Sequence, residues 1–156
     1  HRKERIMSVQ HNLGKIVICD LDGTIADLSH RLHHIKEEPK NWDLFFSECV
    51  DDAIHHDIID LLWAVFPFGT QIYYFSGRSD VVKRETQDWL AKSGAPLGKL
   101  RMRKQGDHRP DHEVKAEMLQ GIAPKDVWFI LDDRDQVVNM WRSKGFRVLQ
   151  VANGDF

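Results

Sequence analysis

The sequence predicts an α/β fold, a three-layer, doubly wound (Rossmann-like) parallel sheet of about five strands. Ile16-Val17-Ile18-Cys19 and Val127-Trp128-Phe129-Ile130-Leu131 are apolar at every position. That is the pattern of strands buried on both faces by helices packed above and below a parallel sheet. Between such runs, helical patterns recur with short polar breaks, and this alternation implies right-handed crossovers within one layered unit. A chain of 156 residues with 42% hydrophobic content can bury one substantial core and is short for two ordinary domains.

Taken in order, residues 1–14 begin with a basic cluster, His1 to Arg5, and read as a flexible leader, a linker or a tag remnant. Residues 15–156 read as the domain. The first strand, Ile16 to Cys19, ends at Asp20. The alternation then lapses, and a small helical cap is expected over about 27–66, with Trp42, Phe45 and Cys49 on one helical face. Ile54, Ile58, Leu61, Leu62 and Val65 form an apolar stripe, with Asp51 or Asp52 as N-cap candidates. Ile72-Tyr73-Tyr74-Phe75 is a further strand that stops at Ser76-Gly77-Arg78. Val82, Thr86, Trp89 and Leu90 mark a helix capped by Ser79 and stopped near Gly94. Leu100 and Met102 alternate with Lys99, Arg101 and Arg103, as on an edge strand with one wet face. Asp111 can cap a helix carrying Val114 and Met118; Val137, Val138 and Trp141 mark another, ending at Gly145, and Phe146 to Val151 completes the sheet.

A net charge of -2 argues against a protein that coats nucleic acid, which needs many phosphate contacts, but not against binding one strand end. Cys19 and Cys49 have neither a disulfide framework nor zinc-ligand spacing around them. No apolar run nears the ~20 residues that span a bilayer. A cytoplasmic protein without membrane contact is expected.

In open α/β sheets, ligands sit beyond the carboxyl ends of the strands. Here those ends deliver Asp20-Leu21-Asp22-Gly23-Thr24, Ser76-Gly77-Arg78 and Asp132-Asp133, with Lys115 on a helix within reach. Four carboxylates in one crevice repel each other, and a bound cation resolves the conflict. Oxygen-only ligands select a hard ion, and with a phosphate substrate Mg²⁺ is the natural choice. The Ser76 hydroxyl, the Gly77 amide and the Lys115 ammonium are donors for phosphate oxygens.

Asp20-Leu21-Asp22-Gly23-Thr24 resembles the DxDGT signature of the haloacid dehalogenase-like hydrolases, and Ser76, Lys115 and Asp132-Asp133 stand in the order of that superfamily's other motifs. Gln105-Gly106-Asp107, Asp111 to Lys115, Asp132-Asp133-Arg134 with Gln136-Val137-Val138, and Val151 to Phe156 further resemble the phosphatase domain of phage-type polynucleotide kinase-phosphatases. The likeness covers nearly everything from Lys15 onward. It departs in a longer, more aromatic connection from Thr24 to Ser76 and in the absence of a GxxxxGK[ST] loop, so any upstream kinase domain lies outside this sequence.

The resemblance implies a phosphomonoesterase working through an aspartyl-phosphate, removing 3'-phosphates from polynucleotide ends. Asp20 would be nucleophile and metal ligand. Asp22 would be general acid and base, its main-chain carbonyl also touching the metal. Asp132 would be the third ligand, with Asp133 and Asp111 in support. Thr24 would orient Asp22 beside the substrate, Ser76, Gly77 and Lys115 would grip the phosphoryl group, and Arg31 and Arg78 would surround it. The alternatives are a nucleoside 5'-monophosphate or other small-molecule phosphatase, and a phosphoacceptor signalling domain. Against the last, the order of acidic motifs differs and Asp22 is an extra acid/base.

Plainer readings hold elsewhere. His33-His34 and His55-His56 are neighbours that point about 100° apart on a helix, and so chelate poorly. Cys19 alternates to the face opposite Asp20, as a buried inert thiol. Trp42, Phe45, Phe46, Trp63 and Phe66 read as packing, with Trp42 or Phe46 as the candidate to stack on a base. Lys99, Arg101, Arg103, Lys104 and Arg109 read as a solvated face or as a groove for a nucleic-acid end, with Arg109 placed to join Arg31 and Arg78 at the phosphate.

Overall fold

The computed structural model describes residues 14–156; all but the last residue of the expected leader lies outside them. In chain order the elements are β1 (Ile16–Asp20), β2 (Ala26–Asp27), α1 (His33–Lys36), α2 (Trp42–Ser47), β3 (Ala53–Ile54), α3 (His56–Val65), β4 (Gln71–Ser79), α4 (Lys83–Ser93), β5 (Gly98–Arg103), α5 (Asp111–Glu117), β6 (Val127–Asp132), α6 (Asp135–Ser143) and β7 (Val148–Gln150). Five strands form one sheet in the order β5-β4-β1-β6-β7, every pairing parallel. β2 and β3 form a separate antiparallel ribbon. The chain runs outward from β1 through β4 to β5 and then returns to β6, so the sheet changes winding direction beside β1.

Strand alternation divides the core. Val17, Cys19, Ile72, Tyr74, Phe129 and Leu131 face one layer with Ile58, Ile59, Leu62 and Trp89 of α3 and α4. Ile16, Ile18, Tyr73, Phe75 and Ile130 face the other with Val114 of α5 and Val137, Val138 and Trp141 of α6. Every residue of β1 is buried, which is why its sequence carries no polar alternation. Trp141 is fully buried, and burial of a ring that size stabilises the fold by roughly 3 kcal/mol.

Several boundaries differ from expectation. α3 begins at His56 with His55 at its N-cap and no side-chain cap bond, so neither Asp51 nor Asp52 caps it. The Asp52 carboxylate is buried against two guanidinium groups, and charge-assisted bonds of that kind outcompete a cap. α5 begins at Asp111 itself, with Pro110 in the cap position and no side-chain cap bond. Ser79 does accept from the Val81 amide, ahead of α4, and Gly94 closes that helix in the left-handed conformation. α3 packs into the central core, while the segment between β2 and β3 holds the short helices α1 and α2. The last strand is shorter than Phe146 to Val151. Among the described residues no helix is long and apolar enough to cross a membrane.

Candidate active site

At the carboxyl end of β1, Asp20 is buried and each of its carboxylate oxygens has a donor. The Lys115 ammonium donates to Oδ1 at 2.6 Å and the Thr24 hydroxyl to Oδ2 at 3.0 Å. Thr24 therefore braces Asp20, not Asp22 as expected. The turn returns the chain through Leu21, whose carbonyl accepts from the amides of Thr24, Ile25 and Ala26. Gly23 has a φ of 84°, and a Cβ there would lie 2.0 Å from Asp133 Oδ2. Only glycine fits this turn.

Across the switch point β6 ends in Asp132, and Asp133 follows. Ligand atoms of Asp20, Asp132 and Asp133 all lie within 4.8 Å of one another. This all-oxygen, buried set fits a hard divalent cation. Asp133, expected only in support, stands in the cluster itself. The Asp22 carboxylate points to arginines, so any share of Asp22 in a metal shell falls to its main-chain carbonyl.

Lys115, almost fully buried, also donates to Asp132 at 3.2 Å and stands 3.8 Å from Asp111. Burial works against its charge, but Asp132, Asp20 and Asp111 outweigh burial and hold its pKa above the ordinary lysine value. Burial and then Asp132 push Asp20 up, against the pull of Lys115. The same two causes raise Asp133 to about 6.

A second, cationic half surrounds Asp22. Burial tends to raise its pKa, but Arg78 and Arg31 prevail and keep the carboxyl below its usual value. Its Oδ1 accepts from Arg31 Nη2 at 2.8 Å, Arg78 Nε at 3.0 Å and Arg78 Nη2 at 2.7 Å. Both arginines are fully buried, so they meet Asp22 before any phosphate. The opposite side of the pair is closed by Asp52, a residue that sequence reasoning missed. It accepts from Arg31 Nε and Nη2, both at 2.7 Å, and from Arg78 Nη2 at 3.0 Å. His30 adds a fourth contact at 2.8 Å, and the Asp52 carbonyl accepts from Trp89 Nε1. The available signal was charge balance, since two arginines buried beside Asp22 require a second carboxylate.

β4 supplies the third side. Its register with β5 shifts between Ser76 and Ser79, lifting Gly77 and Arg78 in a bulge at the strand's end. The Ser76 hydroxyl accepts from the Arg78 amide at 3.1 Å, which leaves its own proton for another acceptor. A Cβ on Gly77 would lie 2.1 Å from Asp111 Oδ1; Asp111 also pairs with Arg103 at 3.2 Å and lies 3.8 Å from Arg134. Arg109, expected at the phosphate, instead pairs with Asp107 and Glu117. The Asp107 carboxyl is held at about 2 by that guanidinium.

Cys19 is buried, its pKa raised by burial and by the charges of Asp20 and Asp132; both cysteines are free thiols. His34 pairs with Glu48 at 2.8 Å. Phe45 packs under Arg31, its ring centroid 4.5 Å from the guanidinium carbon. Trp42 is half exposed and stacks on Phe46 at 6.0 Å.

Residues 14–156 match the family model described as the polynucleotide kinase PNKP phosphatase domain. A protein of Autographa californica nuclear polyhedrosis virus, provisionally named a bifunctional polynucleotide kinase/RNA ligase, is 27% identical over 143 residues, 89% of this chain and 19% of that protein. A chain in the structure of the Pnkp1/Rnl/Hen1 RNA repair complex superposes with a TM-score of 0.79 at 35% identity, covering 92% of this chain and 44% of that one. The class C acid phosphatase of Bacillus anthracis shares the fold, with a TM-score of 0.65 at 19% identity over 99% of this chain and 73% of its own. The chain thus spans less than half the length of its first two relatives. With Asp20, Ser76, Lys115 and Asp132 gathered at the carboxyl ends of a parallel sheet, the chain belongs to the polynucleotide kinase PNKP phosphatase-domain family and is a phosphatase of the haloacid dehalogenase-like fold.

Proposed function

We propose that the domain is a Mg²⁺-dependent phosphomonoesterase that removes 3'-phosphates from polynucleotide ends through a phosphorylated Asp20. The carrying observation is the Asp20 carboxylate, buried between Lys115, Thr24 and the Asp132-Asp133 pair at the end of β1. In the first step an Asp20 oxygen attacks phosphorus, the bond to the sugar 3'-oxygen breaks, and Asp22 gives that oxygen a proton. In the second, Asp22 takes a proton from water, whose oxygen displaces Asp20 and releases phosphate. Arg31 and Arg78 keep Asp22 ionised in the free enzyme, the state the second step requires; a phosphate dianion arriving nearby raises its proton affinity for the first.

Lys115 and the Ser76 hydroxyl donate to the phosphoryl oxygens, with the Gly77 amide beside them. Asp20, Asp132 and Asp133, with the Asp22 carbonyl, would hold magnesium, which would supply Lewis-acid charge at the site and offset the repulsion among the acids. Asp111 positions Lys115 and packs on Gly77. A cytoplasmic repair role alongside a kinase domain belongs to the same reading; the names of its relatives give a polynucleotide kinase and an RNA repair complex for those proteins.

The test is a panel of 3'-phosphorylated oligonucleotides, 5'-phosphorylated oligonucleotides, 5'-mononucleotides and sugar phosphates, each with Mg²⁺ and with excess EDTA. The 3'-phosphorylated ends should be turned over fastest, and only with the metal. A 5'-mononucleotide proving far better would replace this reading with a nucleotidase.

A further inference from the structure

Resting on the polynucleotide reading above, we propose that the strand leading to the 3'-phosphate crosses a basic ledge formed by Lys83, Arg84 and Lys104. Most cations of the run from Lys99 to Arg109 are committed elsewhere. Arg101 donates to the Met118 and Gln120 carbonyls, and Arg103 to those of Gly77 and Arg109 and to Asp111. Arg109 is paired with Asp107 and Glu117. Lys99 lies over the Tyr73 ring at the opposite end of β5, about 16 Å along the strand from Lys104. Lys104 is exposed at the crevice end and, unlike the exposed Arg109, has no ion-pair partner among the described residues.

Two further cations join it across the bulge. Ser79 pairs with Arg103, and the Gln105 amide donates to Asp80 Oδ1 at 3.0 Å, which ties the loop after β5 to the start of α4. Lys83 and Arg84 open that helix, both exposed and likewise without an ion-pair partner among the described residues. Their position is electrostatically adverse, because a helix N-terminus carries partial positive charge and favours acids; Asp80 in the preceding turn and Glu85 offset only part of it. An incoming polyanion relieves that conflict. The ledge also adjoins the chemistry. Thr86, on α4, accepts from Arg78 Nη1 at 3.2 Å, and Arg78 Nη2 lies 2.7 Å from Asp22. Lys83 is about 4.5 Å of helix rise from Thr86.

The ledge makes chain length matter. The experiment compares wild type with a variant combining Lys83→Ala, Arg84→Ala and Lys104→Ala, on a mononucleoside 3'-phosphate and on 3'-phosphorylated oligonucleotides of about ten nucleotides, the scale of a single-strand site. Wild type should prefer the longer substrate. The variant should lose about tenfold in kcat/KM on it, through KM, with a salt slope shallower by about 2, while the mononucleoside 3'-phosphate is hydrolysed as before. Lys83→Arg with Lys104→Arg should retain the preference. If the variant keeps the full length preference while 3'-ends remain the best substrates, the ledge is overturned and the 3'-phosphatase reading stands. If wild type gains nothing from length and favours 5'-mononucleotides, both are overturned. Ledge-dependent binding of polyglutamate in preference to an oligonucleotide would assign the surface to an acidic protein and also overturn the proposal.

Discussion

One carboxylate oxygen of Asp22 receives three guanidinium bonds from two buried arginines, and those arginines are held from behind by Asp52. Asp20, Asp22, Ser76, Lys115 and Asp132 were legible in the sequence because each stands at a strand end or in the helix beside one. Asp52 was not, because it follows no strand and its partners are 21 and 26 residues away; next to an apolar stripe it resembled a helix cap. Breaking a buried ion pair costs about 3–5 kcal/mol. Asp52→Asn should therefore lower both the thermal midpoint and kcat, and unchanged values of both would remove it from the network. Asp20→Asn should cut turnover by about 10⁴-fold or more, yet leave the metal-free fold as stable as wild type or more so, since it relieves carboxylate repulsion. Circular dichroism and phosphate release check the two halves separately. The buried Cys19 thiol, its pKa pushed up by burial and then by Asp20 and Asp132, should resist alkylation in the native state and react on unfolding. Mass spectrometry of iodoacetamide-treated protein reads this out, and rapid native labelling at Cys19 would contradict it.

At the scale of elements, what could be read was whatever burial on two faces imprints. β1 and β6 declared themselves by unbroken apolar runs, and α6 by Val137, Val138 and Trp141, all fully buried. The small elements left no such trace. β2 and β3 have two residues each, too short for any period, and α3 starts without a capping side chain. Trp42, Phe45 and Cys49 were expected on one helical face; Phe45 and Cys49 are buried, whereas Trp42 remains half exposed. The reason is Arg31, which packs on Phe45 and donates to its carbonyl at 3.1 Å, fixing which face of the helix turns inward. α6 also serves the site, because Trp141 Nε1 donates to Asp132 Oδ2 at 3.3 Å. Trp141→Ala should destabilise by about 3–5 kcal/mol. Trp141→Phe, which keeps most of the packing, should cost less stability but weaken Mg²⁺ binding. Denaturant melts and metal titration separate these effects, and equal metal affinity in Trp141→Phe and wild type would show that the bond does not hold Asp132.

For the molecule as a whole, the acidic cluster makes stability depend on pH and metal together. With Asp133 at about 6 in the folded protein against an ordinary 3.8, the metal-free native state holds a proton between those values that the unfolded chain has released. Its stability therefore falls as pH rises through that window. On the proposed Mg²⁺ reading, a divalent cation would take the proton's place. Saturating Mg²⁺, at about 100 times its Kd, should add about 2.7 kcal/mol, or roughly 5–10 °C in Tm, at pH 7.5. The increment should be smaller at pH 5, where the proton competes. Calorimetry at both values checks the direction, and an equal shift at both would deny the coupling. The proposed covalent step at Asp20 is tested most directly by mixing excess enzyme with an oligonucleotide carrying a radiolabelled 3'-phosphate, quenching in acid within the first turnover and mapping the label. The label should sit on the peptide containing Asp20, disappear on chasing with unlabelled substrate, and be absent from Asp20→Asn. Turnover of the 3'-phosphate with no label on the protein at any quench time would contradict the account.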